Sequence, residues 1–122
     1  MALTLNHPTL KEETVTCHTA SSAGTPIACV ARLPFRGKVV KVGFVVGAAF
    51  TTDMSVAVAI STVAITGGTI TVTASGSAIG TMGTAIPTGA NTFVEDDYIT
   101  FTPSGSTGTN IPGTAFAVIQ VA

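Results

Sequence analysis

Apolar and polar residues alternate along most of this chain, and the 3.6-residue period of an amphipathic helix is missing. The clearest case is residues 54–61, where Met54, Val56, Val58 and Ile60 point one way and Ser55, Ala57, Ala59 and Ser61 the other. Burying four such side chains contributes about 1.5–3 kcal/mol each. Fixing the backbone costs about 1–2 kcal/mol per residue. The inner face therefore roughly breaks even by itself, and the small outer residues suit close packing by another layer or subunit. Residues 63–66 and 69–73 form two further runs joined by Gly67-Gly68. Two glycines tolerate the positive φ of a tight hairpin turn. The expected register pairs Thr66 with Thr69 and Ile65 with Ile70, with Val63, Ile65, Ile70 and Val72 inward and Thr69, Thr71 and Thr73 outward.

Weaker alternation predicts strands over 14–18 (Val15 and Cys17 inward), 27–33, 38–46 (Val40, Val42, Phe44 and Val46 on one face) and 98–102 (Ile99 and Phe101 inward). The final run, 114–121, is apolar on both faces, as in a central or interface-facing strand. Residues 74–91 read as a long irregular excursion with one short strand near 80–86, and 104–112 as a second loop. Residues 1–12 do not alternate and contain Pro8, so they read as an extended N-terminal arm. Seven to eight short strands with turn chemistry between them predict one all-β domain over 13–122, an antiparallel β-sandwich, jelly-roll-like or immunoglobulin-like.

Charge changes the picture. Only 9% of the 122 residues are charged, against about a quarter in an ordinary soluble domain. After Asp53 the only charges are Glu95, Asp96 and Asp97. A surface so poor in charge lacks the usual protection against edge-to-edge association, and the expected answer is coverage by neighbouring subunits. Four of the five basic residues cluster at Arg32, Arg36, Lys38 and Lys41. So short a run reads first as a solvated strand and turn. The sharper reading is a docking patch for an acidic protein surface, which it suits better than nucleic acid because there is no aromatic interleaving for base stacking. No apolar stretch reaches the ~20 residues of a membrane span. The first residues have neither the basic nor the apolar region of a secretory signal, so cytosolic synthesis is the expectation.

Candidate chemistry is sparse. With two histidines and no paired carboxylates outside 95–97, no nucleophile–base–orienter set assembles, and no enzyme activity or cofactor is expected. Glu95-Asp96-Asp97 would suit a hard cation, but a turn entering the strand at 98 is the simpler reading. Cys17 and Cys29 read as small buried hydrophobes, and a disulfide requires their strands to lie side by side. No metal site is expected. A single rank of outward threonines is too little for an ice-binding array. Absence of Trp, with Tyr98 the only Tyr, weakens a sugar-binding reading.

Three segments carry a resemblance: Pro34-Phe35-Arg36-Gly37-Lys38-Val39-Val40-Lys41-Val42, then residues 63–72, then Pro87 through Phe101 with its Val94-Glu95-Asp96-Asp97 turn. Residues from about 34 to 122 resemble the head decoration, or cement, proteins of tailed bacteriophages. In similar sequences a glycine often stands where this chain has Asp96. The resemblance implies a non-enzymatic β-sandwich, often trimeric, that binds the major capsid protein on the outside of the virion. Leu3 and Leu5 of the arm, with Arg36, Lys38 and Lys41, are then the candidate capsid contacts. Ala57, Ala59, Thr69, Thr71 and Thr73 are the candidate subunit-interface residues. The competing reading is a fibre, spike or adhesin head that binds a host glycan. A third is a structural protein of a non-viral assembly.

Overall fold

The computed structural model describes residues 12–33, 35–107 and 109–121. These form ten strands: β1 (Glu12–Thr19), β2 (Cys29–Arg32), β3 (Gly37–Val46), β4 (Met54–Ile60), β5 (Val63–Ala64), β6 (Ile70–Val72), β7 (Met82–Ala85), β8 (Thr92–Phe93), β9 (Tyr98–Ser104) and β10 (Gly113–Val121). No helix occurs among the described residues. Leu3 and Leu5 lie outside them. Glu12, expected to end the arm, is the first residue of β1.

The strands build two antiparallel sheets. One runs β1-β10-β3-β7, with β8 also on β3; the other runs β2-β9-β4-β5, with β6 also on β4. Because β7 and β8 share one edge of β3, and β5 and β6 one edge of β4, each pair is a single interrupted strand. The ten segments thus reduce to eight strands. The first lies beside the last, and the chain crosses between sheets at nearly every connection, which is jelly-roll topology.

Alternation fixes the core. Met54, Val56, Val58 and Ile60 of β4 meet Ile99 and Phe101 of β9, Ile70 and Val72 of β6, and Val42, Phe44 and Val46 of β3 in one buried cluster. The strand expected near 80–86 is β7. The strand 114–121 is central: β10 lies between β1 and β3, and its inward Ala115, Ala117 and Ile119 are fully buried.

Three expectations about the strands fail. Gly67-Gly68 is not a hairpin turn. The reversal comes at Ser61-Thr62, with Ile60 paired to Val63, and both β5 and β6 run antiparallel to β4. Ser61 takes φ 54°, and its hydroxyl donates to Asp97 Oδ1 at 2.9 Å, so a side-chain contact from a distant turn supports a conformation that glycine would adopt freely. Gly67 (φ 73°) instead serves the break between β5 and β6. Val63, expected inward, is 60% exposed at the end of the sandwich. Val40, also expected inward, is displaced by a bulge. Val118 pairs with Lys41 and Ile119 with Val39, so Val40 is the extra residue. Val39 takes the buried position instead. Asn91 secures the bulge, accepting from Val39 N at its carbonyl (2.8 Å) and donating from Nδ2 to Val39 O (2.6 Å).

Candidate interaction surfaces

The sandwich presents two outer faces of different chemistry. On the β1-β10-β3-β7 sheet, β10 turns Thr114, Phe116, Val118 and Gln120 outward, the residues between its buried positions. Register places Val45 beside Thr114, Gly43 beside Phe116, Lys41 beside Val118 and Lys38 beside Gln120. Met82 of β7 faces Val45 and is 52% exposed. The Phe116 ring lies against Gly43, where an added Cβ would come within 2.2 Å of Cζ. The centre of this face is therefore apolar, and one end is charged, with Lys38 and Lys41 of β3 and, across Gln120 from Lys38, Glu12 of β1. A hollow of about 260 Å³, lined in part by His18, Val45, Ile79 and Pro112, adjoins it.

The bulge determines how the basic residues are arranged. Lys38 and Lys41 stand three positions apart and would point to opposite faces of a regular strand. The extra residue at Val40 resets the alternation, so both project from the outer face and both are exposed. Arg36 stands apart from them. It precedes β3 and lines a hollow of about 460 Å³ with Phe35, Val94 and Glu95. Arg32 is on the other sheet, opposite Tyr98, and its Nη1 donates to Asp96 O at 2.9 Å. The four-residue basic cluster of the sequence is thus divided among three places.

The outer face of the second sheet is almost free of charge. Ala57 pairs with Thr102 and Ala59 with Thr100, Ser55 with Ser104 on one side and Thr71 on the other, and Val30 with Thr100. Arg32 is its one charged residue among these paired positions. The structure therefore places Ala57, Ala59 and Thr71 on one surface, with Thr69 and Thr73 exposed at either end of β6. Val30, 57% exposed on β2, joins them. The outward Phe116, Val118, Val45 and Met82 were not singled out from the sequence, although the two-sided apolarity of 114–121 was the signal for Phe116 and Val118.

Glu95-Asp96-Asp97 is a turn. Asp97 N donates to Val94 O (3.1 Å), Asp97 Oδ2 accepts from Val94 N (2.9 Å), and Asp96 takes φ 74°. These donors, first the Val94 N–H and then the Ser61 hydroxyl, hold the Asp97 carboxyl below its ordinary range. Among the described residues no three His, Cys, Asp or Glu side chains are grouped to hold a metal ion.

No family model matches the sequence, and no curated protein matches it. Solved structures do match the fold. A chain of the cyanophage Pam1 capsid asymmetric unit superposes with TM-score 0.56 at 12% identity, covering 100% of this chain and 93% of that one. The catalytic unit of an α-1,3-glucanase from Streptomyces thermodiastaticus matches with TM-score 0.50 at 12% identity, over 92% of this chain and 26% of that one. A carbohydrate-binding module from Clostridium stercorarium, solved with cellobiose, matches with TM-score 0.49 at 14% identity, over 95% of this chain and 84% of that one. At these identities the common property is the fold, an all-β sandwich.

Proposed function

We propose that this chain is a structural protein of a bacteriophage virion that seats on the outside of the capsid and stabilises it as a decoration or cement protein. The observation that carries this reading is the pair of opposed faces. One is nearly charge-free and built of Ala, Ser and Thr; the other has an apolar centre and an end that carries Lys38 and Lys41, with Glu12 at its margin. The first suits a sister subunit, because small weakly polar side chains approach closely at little desolvation cost. The second suits a partner surface with an apolar patch and an acidic margin, here the major capsid protein. A closed homotrimer is the favoured assembly. The match to a whole chain of similar length from a phage capsid supports the same reading. In this role the protein is made in the host cytoplasm, has no catalytic activity and requires no cofactor.

The test is addition of purified protein to capsids that lack it, followed by co-sedimentation and heat challenge. Binding with a raised temperature of shell disruption is expected. Absence of both binding and heat resistance overturns the proposal, and binding on a glycan array in their place would favour the receptor-binding alternative.

A further inference from the structure

Two nucleophilic side chains have no part in the proposed role. Cys17 on β1 lies opposite Ala115, and Cys29 on β2 lies opposite Phe101. Cys29 is buried in the core, and Cys17 packs against that core half-buried. Their strands are the end strands of different sheets, so the residues face each other across an open side of the sandwich. The connection between these strands is fastened. Thr19 Oγ1 donates to Ile27 O at 2.7 Å, and Ile27 N donates to Ser21 O at 2.8 Å. Both thiols are free, and each is near enough to perturb the titration of the other.

We propose that Cys17 and Cys29 form an oxidation site that closes to an intrachain disulfide, stapling the two sheets together when the protein meets a small-molecule disulfide such as oxidised glutathione. Cys17, the more exposed, is the sulfur such a reagent reaches first. The neighbouring thiol holds Cys29 below its ordinary value and Cys17 above it, so Cys17 gives its proton to solvent base only as it reacts. As that proton moves, the Cys17 sulfur attacks the reagent disulfide, forming a mixed disulfide and expelling one thiolate. Cys29 then loses its proton to solvent and attacks the Cys17 sulfur. The second reagent thiolate leaves as the Cys17–Cys29 bond forms. Two protein thiols are oxidised and one reagent disulfide is reduced to two thiols. Closure brings the two sulfurs to the covalent separation of about 2 Å.

In a reducing cytosol the pair stays open; outside it the pair closes. Closure restricts the unfolded chain and so stabilises the folded one. The inference concerns the single chain and does not depend on the capsid reading.

Incubation of the folded protein with oxidised glutathione at about pH 8, near the thiol range, tests it. Both thiols should disappear from a thiol assay. Tryptic peptide 12–32, which carries both cysteines, should lose the mass of two hydrogens. Tm should rise by several degrees and fall back on addition of dithiothreitol. Cys17→Ser and Cys29→Ser should each abolish the rise. Two persistent free thiols, a lasting glutathione adduct, covalent dimers, or a disulfide without a rise in Tm would each overturn the proposal.

Discussion

Asp96 holds φ 74° in the turn that leads into β9, the left-handed region that glycine enters without a Cβ penalty. For L-residues this conformation costs roughly 1–2 kcal/mol, less for Asp and Asn. Asp96→Gly should therefore leave the fold intact and raise Tm by a few degrees in a thermal melt; an unchanged or lower Tm would show that the Asp96 side chain contributes more than its strain costs. The neighbouring Asp97 gives a pH dependence. Its carboxyl is held below the ordinary range by the Val94 N–H and Ser61 hydroxyl, so the ionised form is favoured in the folded state. That contribution is present above the unfolded value of about 3.9 and is lost as pH falls through the lower folded value. A Tm scan should thus decline below about pH 4, and Asp97→Asn should flatten the scan in that window. The glycine that similar sequences carry at Asp96 pointed to the position with positive φ, but the residue string did not show which groups the Asp97 carboxylate bound.

At the scale of elements, the alternation of β4 and β9 predicted burial correctly because both strands are regular, so parity along the chain equals the face of the sheet. Parity failed where the strand count was interrupted. The bulge at Val40 exchanges Val39 for Val40 in the core, and the break at 65–69 turns an apparent hairpin into one edge strand. That break is matched by the one between β7 and β8: Thr66 N donates to Gly89 O (3.0 Å), and Thr88 N donates to Thr66 O (2.8 Å). The two interruptions thus satisfy each other's backbone groups and tie the sheets along one side. Nearby, Gly83 of β7 lies so close to β6 that a Cβ would sit 2.2 Å from Thr71 O. A backbone oxygen cannot swing aside as a side chain can. Gly83→Ala should accordingly lower stability by about 1–3 kcal/mol, measurable by denaturant unfolding; a neutral result would mean that the two edge strands separate readily.

For the whole molecule, the consequence of the fold is that the two sets of candidate contacts stand on opposite sides. Lys38 and Lys41 share the outer face of one sheet, and Ala57, Ala59 and Thr71 that of the other. Interfaces so arranged are separable by mutation. The double variant K38E/K41E should bind capsids about tenfold or more weakly, a change of roughly 1.4 kcal/mol or more. Its solution mass, expected to be that of a trimer, should stay the same. Parallel light-scattering and co-sedimentation measurements check this, and loss of the trimer together with shell binding would contradict two independent faces.

The sequence by itself determined the fold class, the inward residues of the regular strands, the turn at Glu95–Asp97 and the scarcity of charge. All of these depend on local period, turn chemistry or composition. Tertiary structure alone decided which residues share a surface. The division of the basic cluster, the common orientation of Lys38 and Lys41, the apolar stripe around Phe116 and the meeting of Cys17 with Cys29 depend on a one-residue bulge and on contacts between different sheets. A period of two specifies alternation within a strand, but where the count shifts, and which strands become neighbours, is settled by packing and long-range backbone hydrogen bonding.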